Sequence, residues 1–170
     1  MPKYIPQMGI GTILNFNIEA VNMGQQVPLT LTSVSLNDPM KFKWVVAGLG
    51  NGSFLIPVKA LESGTKMTIK VPESDRATIY KDDETILFIS KAALADLVKD
   101  QSFTMNKTKF TVKPLDTPYL INNKEADVIY ATTDNGKVEV WILNNPNFPL
   151  LCKMKGNPAG IDFNLTGFKE

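Results

Sequence analysis

The sequence predicts an all-β protein: an antiparallel meander forming a curved half-barrel or a two-layer sandwich, with one short α-helix near residues 90–99. Three observations carry that prediction. Apolar residues recur at every second position in segment after segment, clusters of turn-forming residues separate the segments, and helical periodicity is confined to one stretch. Successive strand side chains point to opposite faces, so an alternating segment has one apolar face and one wet one. Strands of parallel sheets are covered on both faces and read as continuous apolar runs, so the alternation here points to antiparallel pairing.

The elements follow in order. Leu14, Phe16 and Ile18 alternate with Asn15, Asn17 and Glu19, and Asn22-Met23-Gly24 turns the chain. Between Val27 and Leu36 the apolar phase moves from Leu29 and Leu31 to Val34 and Leu36, which predicts a bulge near Thr32-Ser33. After Asn37-Asp38-Pro39 come Met40, Phe42, Trp44 and Val46, interrupted by Lys41 and Lys43; Gly48 to Gly52 then read as a hairpin tip. Phe54, Ile56 and Val58 continue as strand, Glu62-Ser63-Gly64 as turn, and Met67, Ile69 and Val71 as strand again. Lys81-Asp82-Asp83-Glu84 is a further turn.

Ser90 is placed to cap a helix of about nine residues, whose Leu94, Leu97 and Val98 share one face that covers an opening or an edge of the sheet. Phe103 and Met105, then Phe110 and Val112, flank the turn at Asn106-Lys107-Thr108. Pro114 to Glu125 reads as a long loop. Too few residues follow it for an independent core, so residues 1–170 are expected to form a single domain.

The best-defined local feature is the hairpin from Asp127 to Leu143. Asn135-Gly136 is the preferred centre of a type I′ turn, which needs positive φ at both residues and sets Asp134 opposite Lys137. The same register puts Ala131 opposite Val140, Tyr130 opposite Trp141 and Ile129 opposite Ile142. One face then carries Ile129, Ala131, Val138, Val140 and Ile142 as core. The other carries Val128, Tyr130, Thr132, Glu139, Trp141 and Leu143. An aromatic pair stands there where other strands show polar residues, and such a face needs a cover: the helix, another chain or a ligand. Tyr130, Trp141 and Glu139 are therefore the candidate ligand-binding residues, with Trp141 in a partly accessible pocket and Glu139 at its rim.

Composition removes much chemistry. The 170 residues include 18 basic and 17 acidic side chains, for a net charge of +1, so nothing steers the chain toward nucleic acid. Histidine is absent, which excludes every Ser-His, Cys-His or His-metal arrangement. Cys152 is alone, so neither an intrachain disulfide nor a thiolate cluster can form, and its apolar surroundings make it a small buried hydrophobe. No transmembrane segment is expected, since no run approaches the roughly 18 apolar residues that cross a bilayer. Met1 to Pro6 lack the apolar core of a signal peptide, so an export leader is expected to lie outside this chain if there is one.

Individual motifs fall away on local context. Gly48, Gly50 and Gly52 precede a strand rather than the helix a phosphate cradle needs. Ser63 and Lys66 have the spacing of a serine–lysine nucleophile pair, but again a strand follows. Asp82, Asp83 and Glu84 sit at a turn without the spacing of a calcium loop. No metal, cofactor or catalytic residue is assigned.

Three parts of the chain together carry a resemblance: Gly11-Thr12 opening into an amphipathic strand followed by Phe42-Lys43-Trp44; a strand leading into Ser90-Lys91 and a short helix; and Phe148-Pro149-Leu150-Leu151 with a closing Ile161-Asp162-Phe163-Asn164-Leu165. In these the chain resembles uncharacterised β-rich exported proteins of Bacteroidetes type, and more distantly the half-barrels of periplasmic lipoprotein carriers and lipocalin-like folds. The resemblance implies a periplasmic or otherwise extracytoplasmic address, with the cytoplasm as the other choice. It also implies an apolar ligand or a polypeptide partner. The expectation is a non-catalytic binding protein that takes an apolar small molecule or lipid-like group in a β half-barrel. The alternative is a structural or adaptor module that meets a protein partner through a strand edge or loops.

Overall fold

A computed structural model describes residues 2–70 and 72–170. Eleven strands form the main sheet: β1 (Ile13–Ala20), β2 (Gln25–Ser35), β3 (Met40–Val46), β4 (Gly50–Ile56), β5 (Ala77–Ile79), β6 (Ser102–Met105), β7 (Thr108–Val112), β8 (Val128–Thr132), β9 (Glu139–Leu143), β10 (Leu151–Lys155) and β11 (Ile161–Lys169). Two α-helices are present among the described residues, α1 (Val58–Ser63) and α2 (Lys91–Asp100). The spatial order is β5-β4-β3-β2-β1-β11-β10-β9-β8-β7-β6, so two meanders meet where the first strand pairs with the last. Every neighbour pair is antiparallel except β4–β5, which is parallel. The fold is all-β, in one open sheet rather than two facing ones.

The alternation of the sequence becomes the inner face. Leu14 and Phe16, Leu29 and Leu31, Phe42 and Trp44, Val140 and Ile142, and Phe163 and Leu165 are all buried in one contiguous core. Three strands separate β3 from β10, about 19 Å on a flat sheet at about 4.8 Å per spacing. Yet the rings of Phe42 on β3 and Phe148, just before β10, lie 6.1 Å apart, because the sheet curls and the loop folds inward. The two edge strands β5 and β6 are consecutive in the chain, and the segment joining them crosses the concave face. Its apolar run Ile86–Ile89 is buried there, hydrogen-bonded to the start of β10 from Ile89 N–H to Pro149 O (3.0 Å) and from Leu151 N–H to Leu87 O (2.9 Å). This inner strap fills the half-barrel.

α2 begins at Ser90, whose Oγ accepts from the Ala93 N–H at 3.0 Å, as its sequence predicts. It buries Leu94 and Leu97 and packs on β6 and α1. Val98, expected on the same face, is 54% exposed. α1 replaces the strand expected to run through Val58. Pro57 stops the alternation, the Asp38 carboxylate accepts the Val58 N–H at 3.0 Å, and Ala60 and Leu61 turn inward against α2. Glu62-Ser63-Gly64 therefore ends a helix instead of joining two strands. Of the strand expected over Met67, Ile69 and Val71, only Lys66–Met67 pairs, in parallel with Glu84–Thr85; Val71 lies outside the described residues.

Other local corrections have steric causes. The β3–β4 tip is Ala47–Leu49, and Gly50 and Gly52 belong to β4. Gly52 faces Trp44, and a Cβ at 52 would stand 2.7 Å from the indole Nε1, so only glycine lets the indole lie across the strand. The bulge expected near Thr32-Ser33 is present in β2, with Val34 as the extra residue between Ser33 and Ser35, so Ser33 is buried and Val34 faces out. At Asn135-Gly136 only Gly136 has positive φ (+69°), and its N–H closes a turn onto Thr133 O at 2.9 Å. The turn is therefore not type I′, and Asp134 and Lys137 belong to the loop, yet Ile129, Tyr130 and Ala131 pair with Ile142, Trp141 and Val140 as expected. Type I′ geometry occurs instead at Asn106-Lys107 (φ +53° and +61°) and Asn122-Asn123 (φ +53° and +63°), each the two-residue loop of a hairpin.

Candidate functional site

At one end of the half-barrel the concave face opens into an apolar cavity of about 200 Å³. The inner faces of β1 to β4 supply Ile18, Val27, Leu29, Val46 and Phe54, the strap supplies Ile86 and Leu87, and Leu49 and Pro72 lie at the rim. Ile18 pairs with Val27 and Leu29 with Val46, so the strand register brings these side chains to one face and one depth. Leu87 reaches the lining from a left-handed backbone (φ +57°), a conformation costly for a leucine and held here by the strap's hydrogen bonds to β10. The turns at the same end leave Val21, Met23 and Leu49 exposed.

Among the described residues lining this cavity, Lys70 is the one with a charge. Its Nζ donates to Glu84 Oε1 at 3.1 Å and to the Ile79 carbonyl at 3.2 Å, and stands 4.7 Å from the centre of the Tyr80 ring. Glu84 is buried and also accepts the Lys81 N–H at 2.8 Å. Burial raises the Glu84 pKa, but the hydrogen bonds from Lys81 N–H and Lys70, with the Lys70 charge, outweigh it and hold the carboxyl below its ordinary value. Burial pushes the Tyr80 phenol up, and Glu84 adds to that; the Lys70 main chain lies beside the hydroxyl without completing a hydrogen bond.

The expected site residues come together on the opposite, outer face. Tyr130 and Trp141 pair across β8 and β9, their ring centroids 4.8 Å apart, and the Tyr130 hydroxyl donates to Glu139. Lys153 on β10 faces Trp141 and places its Nζ 4.8 Å over the indole ring. Burial, the Glu139 hydrogen bond and charge, and Asp116 push the Tyr130 phenol up to about 12. Lys153 thus lies against the indole of this pair, and α2 packs elsewhere. Beside it, the loop expected over 114–125 lies on the outer face: the Tyr119 hydroxyl is 2.9 Å from Asn164 Oδ1, and the Asn122 amide donates to Phe168 O. Tyr130, Glu139 and Trp141 do not line the apolar cavity.

Little reactive chemistry is assembled. No group of three His, Cys, Asp or Glu side chains that could hold a metal ion occurs among the described residues. Cys152 is the extra residue of a bulge between β9 and β10, fully buried, and burial pushes its thiol up, away from the reactive thiolate. Ser63 bonds the Lys59 carbonyl and Lys66 pairs with Asp83, so the two do not act together. No helix among the described residues is long and apolar enough to cross a membrane. The lining around Lys70 draws on five strands, Ile161 of β11 included, and on the strap, and sequence reasoning missed it; its one local signal is the unbroken apolar run Ile86–Ile89. No known protein family, curated protein or solved structure matches this chain.

Proposed function

We propose that this is a non-catalytic binding protein whose half-barrel mouth takes an apolar small molecule or the apolar part of a lipid-like group. One observation carries the reading: an open cavity of about 200 Å³ whose described lining is aliphatic and aromatic apart from Lys70. An engineered apolar cavity of about 150 Å³ already stays dry and binds benzene, so this volume suits a single ring or a short chain, with the remainder projecting through the mouth. The resemblance to exported β-rich proteins and lipoprotein carriers supports the same ligand class and an extracytoplasmic address.

The adaptor reading has one observation in its favour, the 69% exposure of Ile79 on the short edge strand β5. Lys70 already occupies the Ile79 carbonyl, however, which leaves little of that three-residue edge for a partner strand. A fluorescent naphthylamine probe tests the cavity reading. It should bind the wild-type protein and lose at least about tenfold in affinity in Val27→Trp, which fills the mouth, while the circular dichroism spectrum is unchanged. Equal binding to both proteins rejects the mouth as the site.

A further inference from the structure

We infer that the mouth end of the half-barrel docks on a bilayer surface of zwitterionic lipid, with Val21, Met23 and Leu49 entering the headgroup–acyl boundary; this goes beyond the binding reading, because it needs the cavity's position and not its ligand. Three turns meet at that end. β1 and β2 join through the single 3₁₀ turn Val21–Met23, β3 and β4 through Ala47–Leu49, and β10 and β11 through residues 156–160. The first and third are tied together, since the Val21 N–H donates to the Gly160 carbonyl at 3.0 Å. Leu49 both lines the cavity and is 54% exposed, and Val21 and Met23 stand out at 47% and 74%. The apolar lining therefore continues onto the turns instead of ending at a polar rim. Residues 20–37, 44–58 and 156–161 carry no charged side chain, so burying these turns desolvates no ion. Among the charges that flank them, Glu19, Asp162, Glu73 and Asp75 outnumber Lys155 and Arg76, so anionic headgroups gain nothing here. Three side chains also fall well short of the roughly 800 Å² that each partner buries in a stable protein interface, whereas a single acyl chain already suffices for reversible binding to a bilayer.

Flotation with phosphatidylcholine vesicles at millimolar lipid tests the docking. Wild-type protein should float with them equally at low and high salt, and added phosphatidylglycerol should not strengthen the binding. Val21→Ser/Met23→Ser should lower the partition coefficient at least about tenfold, with the circular dichroism spectrum unchanged. Neither residue lines the cavity, so without vesicles the naphthylamine probe should bind this variant as it binds the wild type. Met23→Trp should act in the opposite direction and strengthen flotation, because tryptophan favours the membrane interface. Wild-type protein that stays with the solution, or a double variant that floats as well as the wild type, overturns the docking and leaves the mouth reading untouched. Flotation that requires phosphatidylglycerol and is lost in salt overturns it too. A wild-type dimer in sedimentation equilibrium that the double variant dissociates replaces the bilayer with a second copy of this chain. If vesicles bind and the probe does not, the mouth reading fails and the docking surface stands.

Discussion

The side-chain amide of Asn106 pairs with the main chain of Met67 as a strand neighbour would: its Nδ2 donates to Met67 O at 3.1 Å, and its Oδ1 accepts the Met67 N–H at 2.9 Å. The Asn106 N–H adds a third bond, to Thr65 O at 2.9 Å. The tip of the β6–β7 hairpin is thereby tied to the segment that pairs with Glu84–Thr85 at the root of the strap. One side chain thus links an edge of the open sheet to the segment paired with the root of the strap.

Asn106→Ala should accordingly lower stability by about 1 to 2 kcal/mol, because Met67 loses both partners in a half-buried place. A urea midpoint equal to that of the wild type would show that the link contributes nothing.

Lys107, the next residue, holds φ +61° without being glycine, at an exposed position. Asn-Gly is the preferred pair for this turn, so Lys107→Gly should raise stability by about 0.5 to 1 kcal/mol, visible as a higher urea midpoint. Gly136 makes the converse case. A Cβ there would meet no atom within 4 Å, so Gly136→Val should cost about 1 to 2 kcal/mol through its left-handed backbone alone. An unchanged midpoint in Gly136→Val would mean that the loop relaxes freely.

What was legible in the sequence is what neighbouring residues decide. The alternation in Leu14–Ile18 or Met40–Val46 places side chains on faces without reference to the rest of the chain, and the α2 cap at Ser90 is equally local. The register of Tyr130 on Trp141 survived a wrong turn type because the apolar pattern of both strands fixes it. α1 was hidden because Val58 continues the alternation of Phe54 and Ile56, and its N-terminal hydrogen-bond acceptor, Asp38, lies 20 residues away. The cavity was hidden for the same reason: Ile18, Val46, Lys70 and Leu87 share no local pattern and meet only through strand order.

Glu84 links the site to pH. Its folded pKa lies below the ordinary value, so the ionised form is favoured in the fold. The stability it contributes is fully present above the ordinary carboxylate range and is lost as pH falls through the folded value. Urea midpoints measured from about pH 6 to pH 3 should fall less steeply in Glu84→Gln than in the wild type, and parallel curves would mean that Glu84 carries none of the acid sensitivity.

Trp141 decides between the two faces of the sheet. It is half-buried on the outer face, between the Tyr130 ring and the Lys153 ammonium, and its indole does not line the apolar cavity. Trp141→Ala should therefore cost about 1 to 2 kcal/mol from lost stacking and partial burial, less than the 3 to 5 kcal/mol of a core tryptophan. The naphthylamine probe should bind this variant as it binds the wild type, because the mouth lies behind β1 to β4, on the other side of the sheet. Loss of binding in Trp141→Ala with stability intact would instead place the ligand on the outer face, with Tyr130 and Glu139 beside it. Paired titrations of Trp141→Ala and Val27→Trp therefore separate the two locations, since a ligand in the mouth is lost in the second variant and kept in the first.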